Sequence, residues 1–205
     1  MDIGVKLDNR LTFSRHYEYV LGRAYSILGF IKRRNKEFNN IWVFKTLFCS
    51  FVRSVLESAC TVWMPYTDTY IKKFESIQKQ FLLFALRDIH DPRDYHNLPS
   101  YNIRLRLLGL QTLESRRTIS SACFLFDILN ENINVKYILD NVTINTNNRS
   151  RHSKYLIEKF HNTEYGRNEP ITRSCRIFNE FINTYMSLPE LSKTAYKNNL
   201  KELLM

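Results

Sequence analysis

The 205-residue chain has only five glycines and five prolines. The glycines stand at positions 4, 22, 29, 109 and 166, too far apart to build a glycine-rich loop around nucleotide phosphates. A run of about 18 uncharged apolar residues, the length that spans a membrane, is also missing. The opening MDIGVKLD lacks the basic and then apolar layout of a signal peptide. We therefore expect no membrane partner and an intracellular location in the nucleus or cytoplasm.

The four cysteines, at positions 49, 60, 123 and 175, form no CxxC pair. The first three fall within apolar patterns typical of helices. We therefore predict reduced thiols in the core rather than disulfides or zinc ligands.

Motifs of catalysis are missing as well: the chain has no GxSxG, no HExxH and no two adjacent aspartates. The best metal candidate is the loop from Asp88 to His96, where carboxylates and imidazoles of the kind that bind zinc lie close together in sequence. Their spacing matches no known ligand set, so we interpret this segment as a solvated polar loop. The sequence predicts no catalytic residue, no metal and no cofactor.

Apolar residues make up 44% of the chain and aromatic residues 14%, which is enough for a folded core. The formal net charge of +10 favours polyanionic partners such as nucleic acid. This excess is evenly divided, with 15 basic and 10 acidic residues both in positions 1–100 and in positions 101–205.

Apolar spacing predicts a mainly α-helical protein, a multi-helix bundle with at most a short N-terminal strand at residues 3–7. In the first half, Ser14 is placed to cap a helix that ends in a basic run. A second helix is predicted over residues 41–64, with one unbroken apolar stripe that includes Phe51 and with Pro65 as its stop. Asp68 is placed to cap a third helix over residues 69–86.

The second half is also predicted to be helical. Ser100 is expected to cap a short helix that Gly109 ends, and Thr112 to cap a helix over residues 113–130. Residues 141–169 are polar and without periodicity, which favours an irregular loop. Pro170 suits the first position of a helix reaching residue 183, and a last amphipathic helix closes the chain.

Basic residues near helix ends and on outward faces form a candidate nucleic-acid surface, since such groups neutralise phosphates without reading sequence. They are Lys32, Arg33, Arg34, Lys36, Lys72, Lys73 and Lys79. An ordinary solvated surface is the alternative interpretation. Trp63, Tyr66 and Tyr70 are candidates for stacking on bases, with core packing preferred for Trp63.

Several segments then occur in a familiar order. They are DIGVKLDNRLTFSRH (2–16), RAYSILGFIKR (23–33), LFCSFVRSVLESACTVWMPY (47–66), IKKFESIQKQFLLFALRD (71–88), RLRLLGLQTLESRR (104–117) and YGRNEPITRSCRIFNEF (165–181). In this order the chain resembles the C-terminal part of the reverse transcriptase of jockey-type non-LTR retrotransposons. Each segment is modest alone, and together they span almost the whole chain.

The resemblance implies a domain plan and a role. Residues 1–12 would be a remnant of the palm-edge strand, 13–98 a thumb-like helical bundle, and 99–205 a C-terminal helical region. A polymerase thumb grips the backbone of the primer–template duplex, so RNA or an RNA–DNA hybrid is the implied partner. Lys32, Arg33 and Arg53 stand where the family pattern is also basic, which adds Arg53 to the candidate surface.

The chain departs from that family in lacking a YxDD-type aspartate pair, because none of its eight aspartates is adjacent to another. Those carboxylates hold the metal ions of polymerisation. We therefore expect a truncated product that cannot polymerise DNA alone and keeps residual binding to the nucleic-acid backbone. The alternatives are a protein-interaction module, self-associating through exposed apolar surface, and a transposon remnant without function.

Overall fold

A computed structural model of the chain describes residues 4–9, 11–34, 40–86, 99–145, 154–182 and 193–204. The protein is mainly α-helical, as predicted, and divides into two compact units. Unit 1 comprises Met1–Ala59 and Pro65–Glu114, and unit 2 comprises Cys60–Met64 and Ser115–Met205. The chain therefore changes unit after Ala59, Met64 and Glu114, whereas the sequence-based plan has boundaries after residues 12 and 98.

The helices and strands follow one another along both units. In chain order they are α1 (Ser14–Arg33), α2 (Ile41–Leu47), a π-helix (Phe48–Arg53), α3 (Ser54–Glu57), α4 (Cys60–Trp63), α5 (Asp68–Ala85), α6 (Tyr101–Leu107), α7 (Leu113–Leu129), α8 (Lys136–Leu139), β1 (Thr143–Ile144), β2 (Leu156–Ile157), α9 (Glu164–Arg167), α10 (Pro170–Ile182) and α11 (Lys193–Leu203).

In unit 1 the helices α1 and α5 run side by side in the same direction. Near their N-termini the Tyr17 ring lies 4.6 Å from the ring of Tyr70 and 6.0 Å from that of Phe74. Near their C-termini Lys32 Nζ lies 5.7 Å from the ring of Phe84. Apolar residues at helical spacing therefore join the two helices along their length.

The second helical segment runs antiparallel to α5. Phe44 of α2 meets Phe84 edge to face at 5.6 Å, and Phe48 stacks on Phe81 at 4.1 Å with an interplanar angle of 12°. Both Phe48 and Phe81 are fully buried. This aromatic pair lies at the centre of the unit 1 core.

The prediction of one regular helix over residues 41–64 is wrong. The π-helix interrupts it, and Ala59, at φ 52°, breaks it between α3 and α4. In an α-helix, a residue and the fourth residue after it point in directions about 40° apart, so a four-residue repeat drifts around the helix. A π turn contains more residues per turn and offsets this drift, which keeps the repeat on one side. The buried line therefore consists of Phe44, Phe48, Val52 and Leu56, and Phe51 is 56% exposed.

Two predicted caps are also wrong, because Ser14 and Asp68 are the first residues of their helices rather than the capping residues. The cap of α6 is confirmed: Ser100 Oγ accepts a long hydrogen bond from the Ile103 N–H at 3.5 Å, and Gly109, at φ 56°, follows the helix end. Of the predicted strand at 3–7, the described residues form only a single bridge at Val5.

Unit 2 has its core between α7, α10 and α11. Phe126 of α7 stacks on Tyr196 of α11 at 4.5 Å, and Phe178 of α10 lies 6.2 Å from the same tyrosine. The predicted bounds of α7 are confirmed to within a residue. Pro170 is the first residue of α10, as predicted, and the end predicted for this helix, residue 183, lies outside the described residues.

Residues 141–169 are not wholly irregular. β1 and β2 pair antiparallel, with Thr143 opposite Ile157 and Ile144 opposite Leu156, and α9 follows. Strands of two residues are too short to show alternation in the sequence. β2 is held on α10 by two hydrogen bonds between the Asn179 amide and the main chain of Leu156.

The four cysteines are free thiols, as predicted. Cys60, Cys123 and Cys175 are buried and Cys49 is half-buried. Burial raises the pKa of Cys123 and raises that of Cys175 to about 11, so both thiols are protonated near neutral pH. Among the described helices, none has the length and apolar character to cross a bilayer.

Candidate nucleic-acid interface

Both units carry a net positive charge. Over the full sequence, unit 1 has 17 Lys and Arg against 11 Asp and Glu, and unit 2 has 13 against 9. The charge excess is therefore divided almost evenly, and the place of a phosphate-binding surface depends on which basic side chains are exposed together.

The outer side of α5 carries three exposed lysines, Lys72, Lys73 and Lys79, which we name the α5 lysine face. They are exposed because Phe74, Ile77 and other apolar residues of α5 point into the core. Lys72 and Lys79 are seven residues apart, so they share one side of the helix at an axial separation of about 10 Å.

Lys73 differs from its two neighbours because it joins α5 to α1. Its Nζ donates to Glu18 Oε1 at 2.9 Å and lies 5.0 Å from the Tyr70 ring. The hydrogen bond to Glu18 raises the pKa of Lys73. By contrast, within the described part of the chain Lys72 has neither an ion pair nor a ring contact.

Lys79 lies 5.1 Å from the ring of Tyr101, the first residue of α6. The Tyr101 hydroxyl donates to Glu75 Oε2 at 2.5 Å, and the Glu114 N–H donates to Glu75 Oε1 at 3.0 Å. Burial and the Glu75 carboxylate raise the pKa of Tyr101 far above its usual value. Glu75 thus points inward, and its side chain is occupied by these donors rather than by the α5 lysine face.

A second basic group lies at the other end of α5. Lys32 is half-buried against Phe84, and burial lowers its pKa. Trp42, at the start of α2, is 60% exposed, and Lys45 Nζ lies 5.2 Å from its ring. We name Lys32, Trp42, Phe44, Lys45 and Phe84 the Trp42 cluster. Trp42, an exposed aromatic ring beside the Lys45 cation, is suited to stacking on a base next to a phosphate.

The sequence analysis missed Trp42 and Lys45 as site residues. Trp42 lies two positions before Phe44 and therefore falls outside the apolar stripe of its helix. An aromatic residue off the core face, one helical turn before a lysine, is the signal that could have identified the pair.

The remaining predicted site residues differ in exposure and in their place in the fold. Arg33 and Arg34 are exposed at the end of α1, where Arg34 lies 5.8 Å from the Phe30 ring, and Arg53 is half-buried in the π-helix. Lys36 lies outside the described residues. The structure therefore brings Lys72, Lys73 and Lys79 together along α5 and Lys32, Arg33 and Arg34 together at the end of α1, and Arg53 belongs to neither group.

The predicted stacking residues also divide. Trp63 is fully buried in unit 2, which confirms its core role, and the Arg117 guanidinium lies 5.9 Å from its ring. Tyr70 packs on Tyr17, and Tyr66 is exposed. The candidate metal loop, Asp88 to His96, lies outside the described residues. The part of the chain that the structure describes contains no group of three or more His, Cys, Asp or Glu suited to a metal ion.

Comparison with known proteins identifies no relative: no family model, curated protein or solved structure matches the chain. The resemblance to retrotransposon reverse transcriptases depends on the order of the sequence segments alone.

Proposed function

We propose that this protein is a helical nucleic-acid-binding module that grips the phosphate backbone of RNA or of an RNA–DNA hybrid through unit 1. The observation that carries the proposal is the exposure of Lys72 and Lys79 on one side of α5, in a chain with a formal net charge of +10. Binding of this kind is electrostatic and independent of sequence.

The acidic residues of unit 1 add to this argument. Glu75 is buried and accepts hydrogen bonds from Tyr101 and Glu114, and Glu18 is paired with Lys73. Both carboxylates are therefore engaged within unit 1. Among the described residues of α5 the acids are Asp68, which is exposed in the first turn, and Glu75, which lies between Lys72 and Lys79 in helical spacing but is buried.

The proposal includes the origin of the module. The ordered segments resemble the region that follows the palm in jockey-type non-LTR retrotransposon reverse transcriptases, so residues 13–98, most of which belong to unit 1, would correspond to a thumb. Without a YxDD-type aspartate pair, this polypeptide is not expected to extend a primer alone. A solved structure of that region from a jockey-type enzyme should contain a parallel pair like α1 and α5 with an antiparallel helix between them, and a different helical order would refute the relationship.

The binding proposal is tested with a fluorescently labelled RNA–DNA hybrid titrated across a salt series. The expected affinity falls as salt rises, because binding releases counterions from the phosphates. The double variant Lys72→Gln/Lys79→Gln removes two cations and should reduce the slope of log K against log salt by about 1.8.

A matched control is available in unit 2. Lys136 and Lys197 are exposed, and Lys136→Gln/Lys197→Gln changes the net charge by the same amount. This variant should leave the slope nearly unchanged. Equal effects of the two double variants, or no binding of the hybrid at low salt, would refute a specific role for α5.

Self-association is a second candidate function, and a specific observation favours it. Phe51 is 56% exposed, and Leu47 and Val55, four residues to either side, are half-buried. Together they form an apolar strip on the outside of the second helical segment, suited to a second copy of the chain. Sedimentation velocity tests this: a dimer that Phe51→Glu converts to monomer supports it, and a monomer throughout the concentration series excludes it.

A further inference from the structure

Unit 2 contains an open cavity of about 520 Å³ that has no part in the proposed grip of unit 1. It lies beside β2, the segment that follows β2, α9 and α10. Its volume is within the range of small-molecule sites, roughly 300–1,000 Å³. The residues that matter for its chemistry are Glu158, Lys159, Phe160, His161, Arg167 and Arg176.

The lining of the cavity is strongly basic. Four Lys and Arg residues line it, with Glu158 as the one carboxylate among the lining residues. Glu158 is already engaged: Lys154 Nζ donates to its Oε2 at 2.9 Å, and the Asn179 amide donates to its Oε1 at 3.0 Å. Although burial would raise the pKa of Glu158, these hydrogen bonds and the charges of Lys154 and Arg176 lower it, so the carboxylate stays ionised beside those cations.

Two of the cations are held by neutral partners among the described residues. Arg176 donates from Nη1 to the Arg167 carbonyl at 3.4 Å and from Nη2 to Asn168 Oδ1 at 3.2 Å. Lys159 Nζ donates to Asn141 Oδ1 at 2.6 Å. Such contacts orient the two cations, and the lining residues keep an excess of Lys and Arg over carboxylates. A phosphate in the cavity would supply the missing negative charge through charge-assisted hydrogen bonds.

Hydrogen bonds and close packing hold the part of the cavity lining beside α9 in position. Arg167 donates from Nη1 to Glu164 at 2.9 Å and from Nε to the His161 carbonyl at 3.4 Å. The His161 ring lies over the backbone of Gly166, where a Cβ atom would come within 2.7 Å of Nδ1 and 2.9 Å of the histidine Cβ. A side chain at position 166 is therefore excluded, and its absence lets His161 line the cavity.

Phe160 completes the site. It is 85% exposed, the highest value among the exposed large apolar residues of the described chain. It lines the same cavity and lies between Lys159 and His161 in sequence. An aromatic face beside phosphate-binding cations is the arrangement that stacks on a nucleobase.

We propose that this cavity binds a nucleotide unit with a terminal phosphate: the phosphate contacts Arg176 and Lys159, and the base stacks on Phe160. The ligand is either a free mononucleotide or the 5′-phosphorylated end of a nucleic-acid strand, which share this chemistry. The site uses none of the residues of the α5 lysine face, so it stands independently of the function proposed for unit 1.

The test is a set of titrations of the full chain with adenosine 5′-monophosphate, inorganic phosphate and adenosine. Saturation-transfer NMR measures the binding of each compound. We expect saturable binding of the nucleotide, competition by phosphate, and much weaker binding of adenosine. Arg176→Gln should weaken nucleotide binding at least about tenfold. Because Arg176 also contacts Asn168, Lys159→Gln, an exposed position, provides a second variant with little effect on folding.

Phe160 separates stacking from charge. Phe160→Ala should weaken nucleotide binding about fivefold or more and leave the affinity for inorganic phosphate within about twofold of that of the unaltered protein. Phe160→Tyr keeps an aromatic ring and should bind the nucleotide as well as the unaltered protein does. Lys136→Gln, the same charge change outside the cavity, should have no effect. The proposal would be overturned if Lys136→Gln weakened nucleotide binding as much as each of the single variants Arg176→Gln and Lys159→Gln. It would also be overturned if binding did not saturate at nucleotide concentrations up to about 10 mM.

The two sources are distinguished with a trinucleotide that has or lacks a 5′-phosphate. Tighter binding of the phosphorylated trinucleotide than of the mononucleotide identifies a strand end as the ligand, and the reverse order identifies a free nucleotide. If the trinucleotide without phosphate binds as well as the phosphorylated one, the proposed phosphate site is wrong.

Discussion

Asn179 of α10 binds both main-chain groups of Leu156 in β2. Its Oδ1 accepts from the Leu156 N–H at 2.9 Å, and its Nδ2 donates to the Leu156 carbonyl at 2.9 Å. Both residues are buried, so the amide substitutes for a neighbouring strand. This contact holds β2 on α10 and thereby places the residues that line the unit 2 cavity.

Replacing Asn179 with alanine should lower the free energy of unfolding by about 2–4 kcal/mol, because two buried backbone groups lose their partners. Urea unfolding followed by circular dichroism measures this. Asn179→Asp keeps the acceptor and loses the donor, so it should also be destabilising. As a control, Asn198→Ala removes an exposed asparagine of α11 and should change stability by less than about 0.5 kcal/mol. Equal effects at both positions would contradict the described role.

Ala59 has φ 52°, a left-handed conformation that disfavours residues with a Cβ atom. Ala59→Gly should therefore stabilise the protein by about 0.5–1 kcal/mol. In a continuous helix the same change would destabilise by about 1 kcal/mol, so the sign of the change in urea unfolding decides between the two. Ala24→Gly, in the interior of α1, is the matched control and should be destabilising.

Phe48 and Phe51 are three residues apart in the π-helix and have opposite environments. Phe48→Ala should cost about 3–5 kcal/mol, since it removes a fully buried ring stacked on Phe81. Phe51→Ala should change the stability of the monomer by less than about 0.5 kcal/mol. Thermal or urea unfolding at low protein concentration separates the two. Similar losses at both positions would favour the regular helix that the sequence pattern predicts.

His16 should make unit 1 less stable in mild acid. Its Nδ1 accepts a hydrogen bond from the Lys6 N–H at 3.3 Å, and burial, followed by the charge of Lys6, lowers the pKa of His16 below 6.5. Below pH 6.5, His16 is therefore protonated more readily in the unfolded chain than in the folded chain. The free energy of unfolding consequently falls as the pH falls.

The measurement is the free energy of unfolding between pH 7.5 and pH 5, compared with that of His16→Asn. Asparagine can present an oxygen near the position of Nδ1 but does not titrate, so the variant should lose less stability over this interval. The other four histidines are present in both proteins, and the difference between the curves belongs to His16. Parallel curves would contradict the prediction.

Much of the fold could be predicted from local patterns. The bounds of α1, α5, α7 and α10 follow from apolar residues three and four positions apart, and a helix start at Pro170 from the fixed φ of proline. The exposure of Lys72, Lys73 and Lys79 follows from the same spacing. These features depend on residues within one or two turns of each other, so sequence reasoning can find them.

The candidate sites could be predicted only in part. The α5 lysines were identified, but Trp42, Lys45 and the whole unit 2 cavity were not. Phe160 and Arg176 are 16 positions apart in the sequence and line one cavity because Asn179 holds β2 against α10. A polar segment without periodicity contains no sign of that contact.

Helical content, a basic character and reduced thiols thus follow from residue types and their short-range spacing. Packing between distant segments decided the rest: the π turn that puts Phe51 outside, the break at Ala59, and the nucleotide-sized cavity in unit 2. The physical reason is that these features depend on free energies of contacts between residues far apart in the chain, which outweigh local helical preference.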